Sequence, residues 1–314
     1  MSNIQWTNIT ANPIHLVKPD GKHGGHWCRK ISPACANCYA EAMNLSNYFI
    51  FASGLPYTGQ VPDNLVFSAI VMEKLMKIKK GERVFAFSMT DCFGDWVRTE
   101  WLDLAFAYMV IASQHTFQIL TKRPERMPEY FRSAKEPIRK IVEDLRRKFK
   151  LPQSEFIWPI PNLWIGTTVE NQKTAHERIP HLLETPAVIR FLSCEPLLEC
   201  VSLQHTFTNS DGEQSTWLDS MDQVIIGGES GPGARGCELD WIRFMINQCQ
   251  RASDVAIFVK QLGSNPIQTA SYIEGVATTY QKLKLKDKKG GTIDEFPEDL
   301  RIREFPTLTA SLSS

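Results

Sequence analysis

The sequence predicts an α/β protein: a partial or full (β/α) barrel of the TIM-like kind, with about six to seven parallel strands and an irregular C-terminal extension. Three observations predict it. Past residue 80, short apolar, β-branched or aromatic runs recur, and each ends abruptly in polar residues. A helix-like stretch follows most of them. The runs are continuously apolar rather than alternating, as in strands buried on both faces, and strand–helix alternation implies parallel βαβ units. An open doubly wound sheet is the second architecture compatible with this pattern.

In chain order, a short strand is expected around Asn12–Val17, ahead of a Gly- and Pro-rich loop that holds Cys28, Cys35 and Cys38. A helix near 39–50 follows the loop, and another near 71–80 leads into the run Arg83–Asp91. The later runs are Thr116–Arg123, Leu163–Glu170, Ala187–Pro196, Gln223–Glu229 and Val255–Gln261. Helices are expected between them near 98–113, 124–148, 172–184 and 238–252. The polar segment 199–222, with its Asp211-Gly212 pair, reads as a surface hairpin or excursion. The barrel domain is expected over 1–265, with 266–314 as an extension packed upon it. Within that extension, Lys286–Gly291 reads as an exposed turn and the final Thr-Ala-Ser-Leu-Ser-Ser as a frayed end.

Composition excludes more than it assigns. A chain of 314 residues can bury a large core. Lys+Arg and Asp+Glu balance at 35 each, so the net charge points to no polyanionic partner. No apolar run approaches the ~18 residues that span a bilayer, so no membrane partner is expected. The opening Met-Ser-Asn-Ile-Gln-Trp has no signal-peptide pattern. Eight cysteines without a secretory signal suit a reducing cytoplasm better than disulfides.

The chemistry-bearing residues gather at the ends of the runs. In barrels and in open α/β sheets alike, the carboxyl ends of the strands carry the site. Those ends deliver Asp91, Lys122, Glu170, Glu195, Glu229 and Lys260. The cysteines are spaced C-x6-C-x2-C, with no fourth nearby. Three thiolates suit a four-iron cluster whose remaining iron is free to chelate the amino and carboxylate groups of S-adenosylmethionine. Zinc is the rival, with His23 or His26 as the fourth ligand. Unliganded thiols are the third reading. Cys92, Cys194, Cys200, Cys237 and Cys249 read as inert buried thiols, and Trp164 and Trp241 as core.

Two further strings stand out. Gly227-Gly228-Glu229-Ser-Gly-Pro-Gly-Ala-Arg235 reads either as an anion-binding nest, with Glu229 accepting from an ammonium or ribose hydroxyl, or as a tight strand-to-helix turn. Lys122 and Arg123 place two cations at a strand end, suited to a carboxylate or phosphate. From Lys122 to Lys150 there are eleven basic and five acidic side chains. That excess reads as a nucleic-acid face or as the solvated face of a helix.

Taken together, Cys28…Cys35-Ala-Asn-Cys38-Tyr-Ala40, Phe117–Pro124, Thr168–Asn171, Phe191–Leu198, Gly227–Gly231 and Glu298–Pro306 resemble a phage-associated three-cysteine-motif family found in phages and bacterial mobile elements. That family is itself similar to radical S-adenosylmethionine enzymes. The resemblance implies a [4Fe-4S] cluster on Cys28, Cys35 and Cys38 and a bound S-adenosylmethionine. It implies an enzyme that generates a 5′-deoxyadenosyl radical, fed by a low-potential electron donor. Two departures are visible. Radical enzymes of this type space their cysteines C-x3-C-x2-C, and they carry Gly-Gly-Glu on the second strand, where this chain has Ser88-Met-Thr-Asp91. Ser88, Asp91, Thr168, Gly227, Gly228 and Glu229 are the expected cofactor-binding residues, and Lys122, Glu170 and Glu195 the expected catalytic ones. The expected substrate is a small molecule or nucleotide, with a nucleic-acid base as one form. A zinc-stapled, non-catalytic nucleic-acid- or protein-binding barrel is the alternative.

Overall fold

The computed structural model describes residues 4–46, 52–208, 211–252, 254–273 and 276–307. The apolar runs become strands of one seven-stranded sheet: β1 (Ile9–Ala11), β2 (Arg83–Ala86), β3 (Thr116–Thr121), β4 (Leu163–Thr168), β5 (Ile189–Cys194), β6 (Gln223–Gly227) and β7 (Ala256–Gln261). The spatial order is the chain order, β1 to β7. The registered pairs β1–β2, β2–β3, β3–β4, β5–β6 and β6–β7 are all parallel. A doubly wound sheet reverses its strand order at a switch point. An unreversed parallel order belongs to the (β/α) barrel class.

Six strands lie where the runs lay, but the first does not. The expected strand around Asn12–Val17 is divided: β1 ends at Ala11, and Ile14–Leu16 pairs antiparallel with Leu65–Phe67 instead. Pro13 explains the division, because it has no N–H to give to a ladder. Among the described residues six α-helices lie between the strands, two of them between β1 and β2 and none between β5 and β6: α1 (Tyr39–Leu45), α2 (Ala69–Met76), α3 (Thr99–Ile111), α4 (Met127–Phe149), α5 (Gln172–Leu183) and α6 (Leu239–Arg251). α1 stops before the expected residue 50, and residues 47–51 lie outside the described residues. Among the described residues, no helix is long and apolar enough to cross a membrane.

The chain divides into two compact units. The first comprises residues 1–167 and 178–188. Its core includes the seam where α3 and α4 pack together. Phe131, Ala134, Ile138, Val142 and Leu145 recur at helical spacing along α4 and are buried. Phe106 of α3 meets Phe131 at 5.4 Å, and Tyr130 donates to Asp103 at 2.8 Å. The basic run along α4 is largely consumed within the chain. Arg123 and Arg146 are buried, Arg126 donates to the carbonyls of Gly94 and Val97, and Arg139, Arg147 and Lys148 pair with carboxylates. Its remaining basic side chains on α4 and at its end, Arg132, Lys135, Lys140 and Lys150, are exposed.

The second unit comprises residues 168–177 and 189–314. Here α6 buries Leu239, Ile242, Met245, Ile246 and Cys249. The excursion at 199–222 contains an antiparallel hairpin, Thr206–Thr208 with Gln214–Thr216, as its turn chemistry implies. The extension beyond 266 is more regular than expected. Pro266–Ile273 and Val276–Lys282 pair antiparallel, and Cys237–Glu238 joins them. Strand-forming Ile, Thr, Val and Tyr residues fill both segments, so no helix is needed to complete them. Further on, Ile302 and Glu304 exchange backbone bonds with β7, at 2.8 Å each. The expected frayed end at 309–314 falls outside the described residues.

Candidate functional site

The first unit holds the cysteine loop. Trp27 is buried, while Cys28, Cys35 and Cys38 are free thiols of intermediate exposure. Cys35 closes a single 3-10 turn, Pro33–Cys35, and Cys38 is the residue that caps the start of α1. α1 is fixed from below by two buried residues. Glu41 pairs with Lys30 at 2.6 Å and accepts the Tyr57 N–H at 2.9 Å. Asn44 accepts the His26 N–H at 2.9 Å and donates to the Leu55 carbonyl, also at 2.9 Å. Local hydrogen bonds therefore set where Cys38 stands.

The three thiols differ in their electrostatics. Burial, then the Asp91 carboxylate, pushes Cys28 up to about 12, against the opposing pull of Arg123. Burial also raises Cys38, opposed by the N–H groups of Ala40 and Glu41 and by Lys122. Burial pushes Cys35 up as well, but the Lys122 ammonium, the Ile31 and Ser32 backbone and the Ser32 hydroxyl outweigh it and leave the thiol lowered. Charge on Cys38 acts on Cys28, and charge on Cys35 acts on Cys38. The sulfurs thus feel one another in the order 28, 38, 35, with Lys122 beside the last two.

As metal donors the three thiols are soft and suit iron–sulfur or zinc chemistry. Among the described residues, no three His, Cys, Asp or Glu side chains converge closely enough to share one ion. The histidines named as fourth zinc ligands stand in a cluster of their own. His23 stacks on His15 at 4.1 Å and meets His26 edge-on at 5.0 Å, and His26 Nδ1 lies 2.9 Å from the Ile14 carbonyl oxygen.

Strand ends β2 and β3 close over the loop. Asp91, 8 % exposed, accepts four hydrogen bonds. Thr121 Oγ1 (2.6 Å) and Phe93 N (3.1 Å) reach Oδ1; Lys122 N (3.0 Å) and Arg123 Nη1 (3.2 Å) reach Oδ2. Its lone pairs are engaged within the protein. Ser88 exchanges hydrogen bonds with Asn12, and its carbonyl accepts from Tyr39, the residue after Cys38. Tyr57 donates to the Met89 carbonyl at 2.8 Å. Just before Ser88, Phe87 holds a left-handed backbone (φ 63°), a conformation that a bulky side chain adopts only under constraint.

The second unit carries its own strand-end charges. Lys260 of β7 pairs with Glu195, which follows β5, at 2.5 Å. Glu229, after β6, is 5 % exposed and is gripped by both arms of the Arg235 guanidinium and by the Arg235 N–H. Thr168 and Glu170 are fully buried at the end of β4. The glycine pair serves the neighbouring backbone: a Cβ on Gly228 would stand 2.4 Å from the Leu262 carbonyl oxygen, and one on Gly227 would touch Gln261 and Glu195.

The predicted residues therefore fall into groups. The structure brings Cys28, Cys35, Cys38, Ser88, Asp91, Lys122 and Arg123 together in the first unit. Glu195 meets Lys260, and Glu229 meets Arg235, in the second. Sequence reasoning missed Tyr39, Tyr57 and the grip of Arg235. Arg235 closes the glycine string, but nothing in the string marks it as the partner of Glu229. Cys92, Cys194, Cys237 and Cys249 are buried as expected, but Cys200 is exposed because it lies in the polar excursion. Trp164 is buried and Trp241 only half-buried.

A family model described as "Protein of unknown function (DUF5131)" matches residues 1–297. No curated protein and no solved structure matches the chain.

Proposed function

The chain belongs to the DUF5131 family, and from its own residues we propose that it is an iron–sulfur enzyme of the radical S-adenosylmethionine type. The observation that carries the reading is the loop itself: three half-buried free thiols whose charges act on one another, in the unit that holds the carboxyl ends of β1, β2 and β3. A single ion demands ligand atoms in close convergence, whereas a cluster core is several atoms across and accepts sulfurs set further apart. When bound, the cluster and S-adenosylmethionine supply one-electron cleavage of the carbon–sulfur bond to methionine and a 5′-deoxyadenosyl radical, the electron coming from a low-potential donor.

The remaining roles belong to the chain. Cys28, Cys35 and Cys38 hold the cluster as thiolates. Lys122, beside Cys35 and Cys38, favours their ionised forms and offers a cation to an anionic group nearby. Ser88 and the clamped turn around it line the mouth of the loop, while Asp91 holds the strand ends rather than a ligand. In the second unit, Glu195 and Lys260 form a pair able to hold or pass a proton. Glu170 and Thr168 are fully buried at the end of β4, and Glu229 with Gly227 and Gly228 keeps its strand end in shape. The substrate we favour is a nucleotide or a base, since α4 retains too little uncommitted charge to grip a long polyanion.

Anaerobic reconstitution with ferrous iron and sulfide tests the reading. A brown protein with about four irons per chain should result. Dithionite and S-adenosylmethionine should then yield 5′-deoxyadenosine. Colourless protein holding about one zinc per chain, with no 5′-deoxyadenosine, would overturn it in favour of the zinc-stapled alternative.

A further inference from the structure

Cys28 is held differently from its two partners. Cys35 and Cys38 belong to a 3-10 turn and a helix start, which fix themselves locally. Cys28 lies in irregular backbone between Trp27 and Arg29, and the carbonyls of both neighbours are taken by side chains from strand ends. Thr90 Oγ1 donates to the Trp27 carbonyl at 2.7 Å, and Arg123 Nη2 donates to the Arg29 carbonyl at 2.6 Å. Arg123 is 7 % exposed. Its other arm holds Asp91, itself fastened to Thr121, Lys122 and Phe93. Its planar face lies 4.7 Å from the Trp96 ring, and Trp96 stands edge-on to Trp27 at 5.0 Å. Trp96 Nε1 donates to Thr90 Oγ1 at 3.3 Å, closing the circuit.

We infer that Arg123 is the positioning residue of the first cysteine: it ties the backbone at Cys28 to the end of β3 before any metal arrives. Only a guanidinium can do this, because the task needs two donors in a rigid fork and a flat face for the indole. A lysine has the charge but reaches only one of the two acceptors. The strand-end cation that the sequence offers to a ligand is thereby committed to the protein. The inference concerns the loop and holds whether the thiolates bind iron or zinc.

The test uses the metal-free full-length chain, so it succeeds or fails separately from the cluster. Each cysteine is alkylated with iodoacetamide at pH 8, and its rate is read by peptide mapping. In Arg123→Lys and in Thr90→Val, Cys28 should react about tenfold faster than in the parent, with Cys35 and Cys38 within twofold of it. Thr90→Val removes one carbonyl tie without touching a charge, so it covers the case in which Arg123→Lys fails to fold. Equal acceleration of all three cysteines would mark general loosening and overturn the inference. So would an unchanged rate at Cys28 in both variants.

Discussion

Replacing Asp91 by Asn tests the strand-end network directly. The carboxylate accepts four hydrogen bonds from four donors, one of them the buried guanidinium of Arg123. Asn keeps one acceptor oxygen and turns an NH2 towards donors that the second oxygen had satisfied. Removing one partner of a buried pair costs about 3–5 kcal/mol, because the other charge stays buried. At roughly 2–4 °C per kcal/mol for a large chain, Asp91→Asn should lower the thermal midpoint by roughly 6–20 °C. Circular dichroism on metal-free protein reads the shift. The double variant Asp91→Asn/Arg123→Met removes both charges, so its loss should fall short of the sum of the singles by at least about 1 kcal/mol. A loss below about 1 kcal/mol for Asp91→Asn, or strict additivity in the double, would show that the network does not hold the strand ends.

Three other outcomes follow from the same structure. Burial first, then the neighbouring charges of His15, His26 and Lys18, holds His23 at about 4, below its usual 6.5. The folded chain thus binds fewer protons than the unfolded one between these values, so this stability is full above pH 6.5 and is lost as pH falls towards 4. Half-exposure discounts it to about 1–2 kcal/mol, measurable as a urea midpoint that drops less steeply on acidification in His23→Gln than in the parent. An identical drop in both would be fatal to that assignment. Gly228→Ala should cost about 1–3 kcal/mol, since its Cβ meets the Leu262 carbonyl oxygen at 2.4 Å; an unshifted midpoint would mean the strand ends yield freely. In metal-free protein near neutral pH, Cys35, whose thiol is lowered, should be alkylated at least about a hundredfold faster than Cys28, raised to about 12, and equal rates would contradict the electrostatics of the loop.

The six later strands are legible because each is a continuous apolar run, which only burial on both faces rewards. β1 is illegible for the opposite reason: at three residues, ended just before Asn12-Pro13, it carries almost no pattern of its own and exists by pairing with β2. The strand pair at 266–282 escaped because its Thr, Ser and Gln residues read as polar tail, although its Ile, Val, Thr and Tyr residues favour strands. At the site, the cysteine spacing is plain in one dimension. The destination of Arg123 is not. A cation at a strand end looks available until the fold brings Asp91 and the Arg29 carbonyl to it from other segments. Glu229 and Arg235 show the same blindness at shorter range, since a glycine string gives no hint that its two ends are charge partners.

The ties on either side of Cys28 have a practical outcome for the life of the protein. A zinc finger collapses when its ion is chelated, because the ion is what orders the chain. Here, side chains of the scaffold order the first cysteine and α1 orders the last. Under the iron–sulfur reading proposed above, a cluster destroyed by oxygen would leave an empty but intact receptacle, and stripping it should cost the chain its colour without costing it its fold.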